Sequence, residues 1–130
     1  MNPIYLSSNL PWENSFGYAR AVRTGPLIKL AGTTAVERGQ VIGVGNPYEQ
    51  TKFILNKLKE TLTEAGADFS SVIRSKVFVT NLSYVEDVAK AHGECFSTSG
   101  PSSTFVEVNT LIDPEMLVEI ELTAWVEDPI

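Results

Sequence analysis

Two side chains able to carry nucleophilic chemistry stand three residues apart, His92 and Cys95, and each is the only residue of its type in the chain. On a helix that spacing lets them touch, and an imidazole beside a thiol is the pairing that generates a thiolate nucleophile. A second reading stays open: both belong to the apolar stripe Val85, Val88, His92, Cys95 and Phe96 of a buried helix face, with no base-orienting partner nearby in the sequence. One cysteine excludes an intrachain disulfide and leaves a cysteine-based metal site short of ligands, so no such site is expected.

The elements that would position such groups can be read from pattern. Residues 17–24 and 27–34 form two strand-like runs separated by Gly25-Pro26, a hairpin signal. Gly39, Gly43 and Gly45 then predict a mobile irregular loop over 36–45. Asn46-Pro47-Tyr48-Glu49 is a capping box with proline at the first helical position, and Gly66 suits a left-handed stop. Between them Leu55, Leu58, Leu62 and Ala65 repeat at helical spacing, leaving Lys52, Lys59 and Glu60 wet.

A turn at 68–71 leads to a strand over 72–80, rich in β-formers from Lys76 to Thr80. Ser83-Tyr84-Val85-Glu86 is a second capping box, opening the helix that carries His92 and Cys95, and 97–101 ends it. Two strands follow, at 103–109 and 117–126. The order β-β-α-β-α-β-β predicts one α+β domain over 1–130, a sheet with two helices on one side.

Alternation along 118–125 turns Val118, Ile120, Leu122 and Ala124 toward the helices and Glu119, Glu121, Thr123 and Trp125 to the opposite surface. Placing Phe105 on that outer surface with Trp125 gives a face of aromatics among carboxylates. Such a face suits contact with another subunit, or else is a wet antiparallel surface with scattered apolar residues.

A net charge of −6, without a stripe of Lys and Arg among aromatics, argues against nucleic acid as a partner. The start Met1-Asn2-Pro3 lacks secretory features, and no apolar run reaches the ~18 residues of a membrane span. A cytoplasmic protein that avoids membranes is expected.

Across these segments the sequence resembles the RidA (YjgF) superfamily. The resemblance rests on Gly17-Tyr18 with Ala21-Val22, on Ala31-Gly32-Thr33-Thr34, on the run from Lys76 to Leu82, on Phe96, and above all on Phe105-Val106-Glu107-Val108 with Leu117-Val118-Glu119-Ile120-Glu121. It implies a chorismate-mutase-like fold, a homotrimer around a central β-barrel, and clefts between subunits that hydrolyse reactive enamines and imines without a cofactor. Tyr18 matches the tyrosine near that cleft, Gly32 the glycine of the second strand motif, and Glu119 the glutamate that orients the attacking water.

Where the family's carboxylate-gripping arginine would stand, this sequence has Ser103, and a hydroxyl cannot supply a charged bidentate fork. Ala89 stands for the family's helix asparagine and Phe105 for its cysteine. The runs Tyr18 to Arg23, Gly32 to Ala35 and Ala91 to Glu94 are similar to an arginine-lacking branch.

Two residues after Tyr18, and on the same side of an extended strand, Arg20 could replace the missing cation, with Thr33 and Thr34 beside it. Alternatively it only pairs with Glu119 or Glu121 across subunits. Glu119 is itself either paired or raised in pKa so as to move protons to and from water, and His92 is either a general base or a core histidine. The resulting candidates are Glu119, Tyr18 and His92 for catalysis, and Arg20, Gly32, Thr33, Thr34, Ser103 and Phe105 for a small-molecule ligand. The implied chemistry is imine hydrolysis, with a non-catalytic metabolite-binding or interaction module as alternative and endoribonuclease activity as a lesser one.

Overall fold

Every second residue from Val118 to Ala124 is buried, and this alternation fixes which side of the sheet meets the helices. The computed structural model describes residues 2–8 and 10–127. Its elements are β1 (Ile4–Leu6), α1 (Pro11–Phe16), β2 (Ala21–Thr24), β3 (Leu27–Thr33), β4 (Val36–Glu37), β5 (Gln40–Val41), α2 (Pro47–Glu64), β6 (Val72–Val79), α3 (Val85–Phe96), β7 (Ser102–Glu107) and β8 (Val118–Trp125). Short 3₁₀ turns precede β6 and α3.

The main sheet runs β1-β2-β3-β8-β6-β7. Its neighbours pair antiparallel apart from β6 and β7, which are parallel and joined through α3. Ile54, Leu55, Leu58 and Leu62 of α2 share one core with Val88 and Phe96 of α3 and with Val77, Ile120 and Leu122 of the sheet. Each fully buried aliphatic side chain there contributes about 1.5–3 kcal/mol. This is the two-layer α+β arrangement expected from the pattern, and the chorismate-mutase-like fold that the resemblance implies.

Local chemistry explains where elements begin. Asn46 accepts the Glu49 N–H at 3.0 Å to cap α2, with Pro47 at the first helical position, and Gly66 follows at φ +85°. The β2–β3 hairpin turns through Gly25-Pro26, with Gly25 at φ +58°.

Four expectations are corrected. The first strand does not start at Gly17: Pro11 opens α1 and Gly17 closes it in the left-handed region at φ +79°, so β2 begins only at Ala21. The loop over 36–45 contains the β4–β5 hairpin, in which Arg38 and Gly39 both take positive φ, the backbone of a tight two-residue turn. Ser83 does not cap α3; Asn81 caps a 3₁₀ turn by accepting the Ser83 N–H, and that turn runs into the helix.

The fourth correction concerns Phe105. Parallel pairing sets Ser103 beside Ser75 and Phe105 beside Val77, both of which are fully buried on the helix side. Phe105 therefore packs toward α3, and Trp125 shares the outer surface with Thr104 and Val106 instead.

Replacing Asn46 with Ala removes the α2 cap and is expected to lower stability by about 1 kcal/mol. Urea denaturation should show a lower midpoint at unchanged slope. An unmoved midpoint would mean that the cap contributes nothing.

Candidate functional site

Arg20 is 7% exposed, and a guanidinium taken out of water must find partners. Its backbone N–H donates to Leu6 O at 2.7 Å, and its carbonyl accepts from Ala31 N at 2.9 Å, wedging it between β1 and β3. In the side chain, Nη2 donates to Gly32 O at 2.8 Å and Nη1 lies 4.0 Å from Glu13 Oε2. The guanidinium carbon sits 5.7 Å from the centre of the Tyr18 ring, a cation–π approach. Arg20 Nε is buried with no hydrogen-bond partner among the described residues.

Glu13, which sequence reasoning missed, is 3% exposed. It accepts from Ser7 Oγ at 3.0 Å, from Ser8 N at 3.1 Å and from Ser8 Oγ. The N-terminal segment is thus tied through one carboxylate to Arg20. The only sequence signal for α1 was Pro11 as a helix-opening proline.

Gly32 lies in a β-bulge, where β3 slips by one residue against β8 between Leu30 and Thr33. A Cβ at Gly32 would fall 2.0 Å from Glu119 Oε2, so the missing side chain is what lets that carboxylate lie against the strand. Burial raises the pKa of Glu119; Arg20 lowers it in part and Glu121 adds to the rise. Burial also raises the Tyr18 hydroxyl, again moderated by Arg20.

Tyr18, Arg20, Gly32, Thr33, Thr34 and Glu119 line one cavity of about 420 Å³. Leu10, Trp12 and Phe16 also line it, as do Lys57 and Thr61 of α2. Thr33 donates its hydroxyl to Ala31 O at 3.1 Å. The cavity thus combines a cation, a carboxylate of raised pKa, a phenol and an apolar wall. Such a set can hold a small polar molecule and exchange protons with water.

Ser103, Phe105 and His92 form a second group, across the sheet from Glu119. His92 is 8% exposed, and its Nε2 lies 2.8 Å from Ser75 Oγ rather than bonding Cys95. Ser75 Oγ lies 2.6 Å from Ser103 Oγ. The His92 ring packs on Phe96 at 4.7 Å and on Phe105 at 5.5 Å. Burial lowers the pKa of His92 and raises that of the Cys95 thiol, so the ring stays neutral and the thiolate is disfavoured near pH 7. Ser75 escaped notice, although a serine among the inward positions Val77 and Val79 was its signal. Among the described residues no cluster of His, Cys, Asp or Glu could hold a metal ion, and no helix is long and apolar enough to cross a membrane.

A family profile described as Endoribonuclease L-PSP matches residues 11–126. A Streptomyces coelicolor protein, SCO2049, is 40% identical over 120 residues, covering 92% of this chain and 90% of its own length. The crystal structure of Rv2704 from Mycobacterium tuberculosis, described as a member of the YjgF/YER057c/UK114 family, superposes with a TM-score of 0.88. It is 36% identical and covers 96% of this chain and 100% of its own. The 3-aminoacrylate deaminase RutC of Acinetobacter baylyi is 26% identical over 110 residues, covering 84% of this chain and 86% of its own.

The raised pKa of Glu119 predicts a pH-dependent stability difference. A carboxyl whose folded pKa lies above its unfolded value stabilises the fold most when protonated, and that contribution is lost as pH rises through the folded pKa. Glu119→Gln should therefore melt higher than the native chain near pH 7, with the gap closing as pH falls below the ordinary glutamate range. A pH-independent gap would contradict the desolvation.

Proposed function

Because this chain belongs to the RidA (YjgF) superfamily, we propose that it works as a homotrimer that binds a small polar metabolite and hydrolyses an imine or enamine there. In this reading Tyr18, Arg20, Gly32 and Glu119 form one wall of each cleft, and Ser103 and Phe105 of the partner subunit form the other. The reading is supported above all by Glu119: a half-buried carboxylate of raised pKa, seated on Gly32 within a cavity that also holds Arg20. It also places the chain in the superfamily's arginine-lacking branch.

In the proposed reaction Glu119 accepts a proton from water as its oxygen adds to the imine carbon. That proton passes to the nitrogen to give a carbinolamine; Glu119 then takes the hydroxyl proton and hands it to the same nitrogen as the C–N bond breaks, so that a carbonyl and ammonia leave. Arg20, whose Nε has no partner among the described residues, is the candidate anchor for a substrate carboxylate. Water is the only co-reactant. A deaminase name among the relatives agrees with this chemistry.

Ser103 favours a second reading, in which the cleft binds a metabolite without turning it over, because the serine supplies no charged fork where the superfamily carries arginine. A net charge of −6 weighs against the ribonuclease description attached to the family profile.

Ammonia release from freshly generated 2-iminopropanoate distinguishes these readings. The native chain should accelerate release, Glu119→Gln should reduce turnover by about 10²–10⁴-fold, and Arg20→Ala should act mainly on KM. Thermal stabilisation by small carboxylates without turnover would leave the binder, and absence of both would overturn the site.

A further inference from the structure

Within one subunit the Ser103–Ser75–His92 chain lies across the sheet from Glu119, and although Ser103 lines the proposed cleft from the partner subunit, none of its three residues moves a proton in the step proposed for Glu119. We propose that it is a second reactive centre, in which Ser103 is a nucleophile that accepts acyl groups from activated esters, relayed through Ser75 to His92.

Geometry carries the assignment. β7 is an edge strand, so Ser103 is exposed while its neighbour Ser75 is completely buried. Parallel register sets the two serines side by side, and α3 lays His92 over Ser75. The result is a continuous line of heteroatoms from solvent to a buried imidazole, with steps of 2.6 and 2.8 Å. Phe96 and Phe105 hold the ring against it. The Ser103 hydroxyl lies 3.1 Å from Pro101 O and 2.6 Å from Ser75 Oγ, and when Ser75 gives its own proton to His92 its oxygen can accept that of Ser103.

With its own proton on Nδ1, His92 accepts at Nε2. As Ser103 Oγ bonds to the ester carbonyl carbon, its proton moves to Ser75 Oγ while the Ser75 proton moves to His92 Nε2. The carbon–oxygen bond to the leaving group then breaks, and the proton returns along the chain to make that group an alcohol. Acyl-Ser103 remains, and water releases it as the carboxylic acid by the same relay. Ser103 is the catalytic residue of this reaction; Ser75 and His92 are positioning and relay residues. Their arrangement differs from an ordinary buried network in ending at an exposed hydroxyl, since a network serving only to satisfy Ser75 needs no solvent terminus.

The probe is 4-nitrophenyl acetate, followed by nitrophenolate release and by mass spectrometry of the whole chain and its peptides. One acetyl group should appear on Ser103 and be absent from Ser103→Ala. Ser75→Ala and His92→Ala should each slow acetylation about tenfold or more, the scale of a lost general base. Added imidazole should restore part of the rate to His92→Ala, a rescue that a purely structural role would not produce. Acetyl on other residues but not Ser103, unchanged rates in both relay variants, or a slow His92→Ala that imidazole does not help would each overturn the proposal.

Discussion

The burial of Arg20 is the constraint around which the candidate site is arranged. A cation this enclosed is stable only with acceptors in place, and here they come from three parts of the chain: Gly32 O in β3, Glu13 in α1 and the face of Tyr18. Because Glu13 in turn gathers Ser7 and Ser8, the segment before β2 folds back over the strands. Without the guanidinium, Glu13 would be a buried carboxylate with only neutral donors among the described residues, an arrangement that destabilises strongly.

The same cation governs Glu119. The bulge at Gly32 opens room for the carboxylate, desolvation raises its pKa, and Arg20 moderates that rise. Two opposing electrostatic effects thus act on one carboxyl, burial raising its pKa and Arg20 offsetting part of that rise. Across the sheet, His92 is kept neutral by burial alone. The two groups are therefore tuned by different physics, one by competing charge and desolvation, the other by desolvation only.

Much of this was legible in the sequence. Period-two alternation along 118–125 placed Glu119 on the face opposite Ile120, and the capping signals at Asn46 and Gly66 bounded α2. What escaped depended on contacts distant in sequence. Periodicity alone does not reveal that Gly17 turns left-handed to end a six-residue helix, nor that this helix delivers Glu13 to Arg20. Phe105 was placed on the wrong face because the parity of an edge strand is set by its partner's register, which became known only once β6 and β7 were seen to pair parallel. Ser75 was missed for a related reason: a single serine in a strand is ordinary until its neighbours across the sheet and on α3 are known.

The account stands on Glu119 being a desolvated carboxyl whose pKa Arg20 restrains. Carbon-13 NMR titration of the glutamate side-chain carboxyls, with Glu119 assigned by its loss in Glu119→Gln, reads this directly. In the native chain Glu119 should titrate above the ordinary glutamate value, and in Arg20→Gln it should move higher still. A Glu119 that titrates like an exposed glutamate, unmoved when Arg20 is replaced, would contradict it.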